Sequence, residues 1–132
     1  MIDPVSERLR GADPLIAIVG ATDAPGKYGG IIYRDLKAKG YRVVGVNPTR
    51  PTVDGDTAFA SLADLEEVPD IVNVVVPPST TLRVLDQVAT MDDVALWIQP
   101  GAADDAVRNR VADLGLDALV DACIMVQSKV RA

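Results

Sequence analysis

Short apolar runs rich in Val and Ile recur along the chain, each bounded by Gly, Pro, Asn or Asp, with stretches of helical spacing between them. Five runs read as strands, over 15–19, 42–46, 71–76, 95–98 and 118–120. Between the first two, Tyr28, Ile32 and Leu36 fall on one helical face while Arg34, Lys37 and Lys39 point away, and Gly40 supplies the stop. That helix starts near Tyr28. Ser79 reads as the N-cap of a second helix whose stripe is Leu82, Leu85 and Val88 or Ala89. Val107, Val111 and Leu114, ended by Gly115, give a third. A short helix from Pro4, capped by Asp3, precedes the first strand, and Ser61 caps another through Glu67.

Strands alternating with helices predict one α/β domain over 1–132, a Rossmann-like, doubly wound, five-stranded parallel sheet with helices on both faces. The expected strand order is 3-2-1-4-5. Such sheets bind ligands beyond the carboxyl ends of the strands, where the order reverses. The ends of the first four strands are therefore where chemistry is expected.

Composition narrows that chemistry by what it lacks. The 132 residues include no His and one Cys, so a Ser-His-Asp or Cys-His nucleophile, a His-ligated zinc, an intrachain disulfide and a CxxC pair are all excluded. With 13 basic against 19 acidic residues, a net charge of −6, and five aromatics (three Tyr, one Trp, one Phe), the chain lacks the basic face and stacking platform of a nucleic-acid binder. No apolar run is long enough to span a membrane, and the acidic N-terminus does not read as a signal peptide, so a cytoplasmic protein with no membrane partner is expected. Bound-cofactor chemistry or ligand recognition is what remains.

The first strand end reads Gly20-Ala21-Thr22-Asp23-Ala24-Pro25-Gly26-Lys27-Tyr28-Gly29-Gly30. Small residues there let backbone N–H groups approach a phosphate, the helix start adds its positive dipole end, and Lys27 adds a full charge. A tight strand-to-helix joint is the plainer reading. Neither familiar phosphate loop fits. Against the P-loop pattern, Ala21 holds the first Gly position and Tyr28 the hydroxyl position that would meet magnesium. Against the dinucleotide fingerprint, Thr22 stands where the second Gly belongs.

The second strand ends in Val46-Asn47-Pro48-Thr49-Arg50. An NAD site wants a carboxylate there for the ribose hydroxyls, and Asn47 carries none. Arg50 suits a phosphorylated ribose, as in NADP or coenzyme A, or is a solvated surface charge beside a plain Asn47-Pro48 turn. At the third end, Val76-Pro77-Pro78-Ser79 presents rigid apolar surface for an adenine or pantetheine edge, or is a proline-stiffened turn. At the fourth, Ile98-Gln99-Pro100-Gly101 can hold a ligand from the other side, while Trp97 reads as core. Cys123 follows the fifth strand, either near a helix N-terminus or as a small buried hydrophobe.

Taken in order, these residues resemble a known family. Ile18-Val19-Gly20-Ala21-Thr22, Gly40-Tyr41-Arg42-Val43-Val44-Gly45-Val46-Asn47-Pro48, Pro77-Pro78-Ser79, Leu96-Trp97-Ile98-Gln99-Pro100-Gly101 and Asp121-Ala122-Cys123-Ile124-Met125 follow the pattern of small single-domain CoA-binding proteins. That family looks like the CoA-binding N-terminal domain of the succinyl-CoA synthetase α subunit standing alone. The resemblance implies a Rossmann-like domain with coenzyme A lying across the strand ends. Gly20, Ala21 and Thr22 would then contact its phosphates, Arg50 its phosphate-rich end, Val76 to Pro78 its nucleotide, and Ile98 to Pro100 the remainder. Tyr28, Asn47 and Pro48 complete the candidate set, and Lys27 is added from its charge and placement. The family usually has Ser where Thr22 stands, which keeps the hydroxyl, and the run 26–30 is richer in glycine than expected. The synthetase's catalytic histidine belongs to a second domain with no counterpart here.

The leading expectation is non-catalytic binding of coenzyme A or an acyl-CoA, with no metal. Two alternatives stand beside it: an NAD(P)-binding oxidoreductase or redox sensor, and a CoA-binding subunit whose catalytic domain is on a partner chain. A homodimer or an unidentified protein partner is compatible with each.

Overall fold

A computed structural model describes residues 3–131. The chain runs α1 (Pro4–Leu9), β1 (Leu15–Val19), α2 (Tyr28–Ala38), β2 (Arg42–Val46), β3 (Thr52–Val53), β4 (Asp56–Phe59), a 3₁₀ turn (Leu62–Asp64), β5 (Ile71–Val74), α3 (Pro78–Val88), β6 (Ala95–Ile98), α4 (Asp105–Leu114), β7 (Ala118–Val120) and α5 (Ile124–Gln127). None of the described helices is long and apolar enough to cross a membrane.

The α/β, Rossmann-like class is the one expected, but the sheet has seven strands in the order β3-β4-β2-β1-β5-β6-β7. A five-stranded sheet ordered 3-2-1-4-5 is thereby corrected. The strand at 71–74 pairs with β1, Ile16 opposite Ile71 and Val19 opposite Val74, and does not lie outside β2. The place outside β2 is taken by β4, which runs parallel to it with Gly45 opposite Ala58 and pairs antiparallel with β3. Asp54 and Gly55 turn that hairpin with φ of 51° and 79°, the left-handed pair a type I′ turn requires. Counting only the parallel strands, β4 is third along the chain and the order becomes that of a doubly wound nucleotide-binding sheet.

Alternation along each strand divides the core into two layers. Ile16, Ile18, Ile71 and Trp97 face Val5 and Leu9 of α1, Ile32, Tyr33 and Leu36 of α2, and Ile124 of α5. Ala17, Val19, Val72, Val74, Leu96 and Ile98 face Val84, Leu85 and Val88 of α3 and Val107 of α4. Trp97 is core as expected, fully buried with its indole N–H donating to the Ala122 carbonyl at 2.9 Å.

Several local readings shift. The third expected strand stops at Val74, because the chain turns toward Pro77 and Pro78, which have no N–H for a ladder. Helix α3 starts at Pro78, with Pro77 at the cap position and Ser79 inside the first turn. Its buried stripe is Thr81, Val84, Leu85 and Val88, while Leu82 is half-buried and Ala89 exposed. The helix expected from Ser61 through Glu67 is one 3₁₀ turn, to which Ser61 gives no side-chain cap.

Two carboxylates couple this fold to pH. The Asp3 side chain accepts from the Val5 and Ser6 amides at 3.0 and 2.9 Å, capping α1. Burial alone would raise its pKa, but these bonds outweigh burial and hold the carboxyl below its ordinary 3.8. Asp56 is likewise held below 3.8 by Lys37, whose ammonium is 2.9 Å away, and by the Tyr33 hydroxyl, which donates at 2.7 Å. A depressed folded pKa means that the unfolded chain binds more protons in this window, so the stabilisation is complete above the ordinary carboxylate pKa and is lost as pH falls through the folded values. The urea midpoint is therefore expected to hold from pH 7 to about 5 and fall below about 4. Asp56→Asn should flatten that fall; an unchanged slope would remove Asp56 from the account.

Candidate ligand-binding site

The chain leaves β1 toward β2 on one side and leaves β5 toward β6 on the other, so the order reverses between β1 and β5. A cavity of about 580 Å³ opens there at the carboxyl ends. Among the candidates read from the sequence, Gly20, Thr22, Lys27, Tyr28, Val76, Pro77, Pro78 and Pro100 line it. Ala24, Gly29, Val75, Gly101 and Ala102 complete the lining; each lies within two residues of a candidate along the chain and has no polar side chain to mark it.

The first turn is built by close approach. Gly20 has φ of 104°, and a Cβ on it would stand 2.9 Å from Val76 Cγ1 and 3.0 Å from the Val75 carbonyl oxygen. This sets the end of β1 directly against the β5–α3 segment. A Cβ on Gly29 would meet the Gly20 carbonyl oxygen at 1.8 Å, and one on Gly30 would meet that of Thr22 at 2.4 Å. The unexpected glycine content is thus the means by which α2 sits against β1, the part played by the last glycine of a dinucleotide fingerprint. Lys27 holds the N-cap position with extended backbone and no side-chain cap bond. No side chain competes there with a ligand for the first N–H groups of α2. The Thr22 hydroxyl accepts from the Ala24 amide at 3.1 Å, which bends the turn and leaves its proton free to donate.

The other candidates lie around the cavity without lining it. Asn47 ties two strand ends together: Nδ2 donates to the Ala21 carbonyl at 2.9 Å, and Oδ1 accepts from the Thr49 amide at 2.9 Å and hydroxyl at 3.1 Å. A carboxylate could not make the first of these bonds, which gives a structural reason for Asn where an NAD site wants Asp. Ala21 is fully buried beside Gly45. Pro48 is exposed and Arg50 half-buried, both on the β2 side of the first turn. Ile98 is core, and Gln99 is buried with Oε1 accepting from the Ile124 amide at 2.9 Å, holding the start of α5.

Charge distinguishes this cavity. Lys27 is the ionised side chain on its described lining, which includes no carboxylate. A second cavity of about 440 Å³, between the 3₁₀ turn and α3, is lined by apolar residues, Gln87, Thr90 and the carboxylates of Glu67 and Asp86, and suits no anion. Beside the first turn, burial and then the Asp56 carboxylate push the Tyr33 phenol well above its ordinary pKa. That is opposite to what a tyrosine base needs, so the Tyr33, Lys37 and Asp56 group acts as a clasp between α2 and the hairpin. Cys123 is half-buried at the start of the four-residue α5 and does not line the cavity.

A family model described as a CoA binding domain matches residues 15–129. The chain belongs to this family. Among proteins, it is 28% identical over 115 residues to the uncharacterised protein YneT of Bacillus subtilis, covering 87% of this chain and 85% of that one. It is 31% identical over 72 residues to an ADP-forming acetate–CoA ligase of Methanocaldococcus jannaschii, covering 54% of this chain and 10% of the ligase. Among solved structures, a conserved hypothetical protein from Pyrococcus furiosus superposes with a TM-score of 0.81 at 34% identity, covering 88% of this chain and 99% of that one. A dinucleotide-forming acetyl-coenzyme A synthetase of Ca. Korarchaeum cryptofilum, solved with phosphate and ADP, shares the fold with a TM-score of 0.73 at 22% identity, and this chain covers 30% of it.

Proposed function

We propose that this domain binds coenzyme A or an acyl-CoA in the cavity at the ends of β1, β5 and β6, and performs no chemistry of its own there. The observation that carries the reading is the cavity at the switch point, free of carboxylates on its described lining and closed by a glycine-built turn with Lys27 at an uncapped helix start. A pyrophosphate fits the N–H groups and ammonium of that turn. The Val76-Pro77-Pro78 wall offers apolar surface to the nucleotide or pantetheine. Family membership supports the ligand class. The absence of histidine and of a nucleophile-base pair on the described lining supports a binding role over a catalytic one. Use of the Asn47 side chain within the protein argues against the NAD(P) alternative.

Parallel thermal-shift titrations with CoA, 3′-dephospho-CoA, NAD and NADP test this. A ligand at about 100 times its Kd contributes roughly 2.7 kcal/mol, a rise of several degrees in a domain of this size. A shift with CoA is the expected result. A shift with NAD or NADP and none with CoA would overturn it in favour of redox chemistry. The likeness to a small part of a larger CoA ligase also supports a second reading, a CoA-binding subunit that serves a catalytic partner chain. Stoichiometric co-purification of an ATP-dependent or acyl-transferring protein from the native cell would favour that reading, and an isolated chain would count against it.

A further inference from the structure

We propose that Arg34 is a specificity residue of this site, reading the phosphate on the ribose of a CoA-class ligand; the assignment rests on the binding function proposed above. Arg34 stands on the second turn of α2, and long helical side chains fold back toward the helix N-terminus. Its two terminal nitrogens lie 3.1 and 3.6 Å from the point a Cβ on Gly30 would occupy, and that same point is 2.4 Å from the Thr22 carbonyl oxygen. The guanidinium therefore lies across bare backbone at residue 30, beside a residue that lines the cavity. Glycine at this position is what gives it room.

Two further observations separate Arg34 from Lys37 and Lys39, the lysines that follow it in and just after α2. Lys37 is paired with Asp54 and Asp56, and Lys39 with Asp35, whereas Arg34, like Arg50 at the end of β2, forms no ion pair or side-chain hydrogen bond among the described residues. The carboxylates of the first turn and of the hairpin strand β4 are engaged elsewhere: Asp23 accepts from the Asp54 amide at 2.8 Å, and Asp56 holds Tyr33 and Lys37. A guanidinium without a partner, in a chain with 19 acidic residues, is available for a ligand's anion.

Position decides which anion. Tyr33 and Lys37 bond the β3–β4 hairpin, so the side of α2 that carries them faces the β2 edge of the first turn. Arg34 follows Tyr33 on that helix, and Arg50 leaves β2 on the same edge. In doubly wound sheets the pyrophosphate sits on the first turn and the adenosine ribose at the end of the second strand. Arg34 thus belongs with the ribose and its 3′-phosphate, where a planar, bidentate donor gives the most selectivity.

Titration calorimetry of wild type, R34A and R34K with CoA and with 3′-dephospho-CoA tests this. R34A should weaken CoA by about tenfold or more, the effect of losing charge-assisted bonds, and leave 3′-dephospho-CoA unchanged, with R34K between the two. The melting temperature of the free protein should not move, because Arg34 has no protein partner to lose. Equal loss on both ligands, or no loss on either, overturns the assignment while the binding function stands. A wild-type protein that binds neither ligand overturns both.

Discussion

Gly29→Ala is expected to unfold the domain about 10 °C earlier and to abolish ligand binding. Alanine in a helix is ordinarily favoured over glycine by roughly 1 kcal/mol, so propensity alone predicts the opposite sign. Contact geometry decides the matter. The new methyl would sit 1.8 Å from the Gly20 carbonyl oxygen and 2.7 Å from its carbon, and both are backbone atoms at the end of a central strand. No rotamer change relieves that contact. Either α2 backs away from β1, separating Ile32, Tyr33 and Leu36 from Ile16 and Ile18, or the end of β1 is displaced from β2 and β5. Overpacking a core costs about 1–3 kcal/mol where side chains can yield, so a backbone clash of this depth should cost about 3 kcal/mol or more. Gly26→Ala is the control: its φ is 75°, yet nothing lies within 4 Å of the added carbon, so only left-handed strain of about 1–2 kcal/mol applies. Urea midpoints separate the two. Equal losses would mean that α2 does not approach β1 this closely.

That approach shows where sequence reading reaches and where it stops. The long regular elements are legible because each combines a period with a punctuation residue. Helix α4 ends at Gly115 with φ of 64°, and α1 starts at the Asp3 cap. The strands on either side of the switch point are apolar except at Asn73, as expected of strands covered on both faces. The hairpin carries an explicit signal in Asp54-Gly55, but its strands are two and four residues long, and Asp56-Thr57-Ala58-Phe59 alternates too weakly to read as buried. Overlooking it displaces the strand order, because β4 then leaves the third place to the segment at 71–74.

The site divides along the same line. Gly20, Thr22, Lys27 and the proline pair can be found from the rule that ligands meet strand ends, which needs only topology. Hydrogen bonds between separate loops are another matter. Nothing along the chain shows that Asn47 reaches the Ala21 carbonyl or that Gln99 holds the Ile124 amide. Gly29 and Gly30 read only as an excess of glycine until the carbonyls they face are in place. Arg34 reads as a solvated charge on the outer side of a helix, because the back-folded direction of its side chain and the open space at Gly30 are properties of assembled backbone.

Asn73→Val is expected to stabilise the domain by about 2 kcal/mol, raising Tm by roughly 5 °C or more without changing affinity for a ligand. Asn73 lies in β5 between Ile18 of β1 and Trp97 of β6 and is fully buried. Neither Nδ2 nor Oδ1 has a hydrogen-bond partner among the described residues. Burying such groups unpaired costs about 1–3 kcal/mol, and an apolar residue of similar volume removes that cost and adds buried hydrocarbon. Valine also suits a central strand. The added volume is small, but the neighbours are tightly packed, so part of the gain goes to repacking. Asn73 does not line the cavity, although Val75, two residues on, does. Affinity is therefore the internal control. A fall in stability would mean that the amide is bonded to a buried water, the usual partner of an isolated polar group in a core, and that valine displaces it. A rise in Tm with weakened binding would mean instead that the amide sets the position of Val75, making this costly core residue a support for the cavity wall.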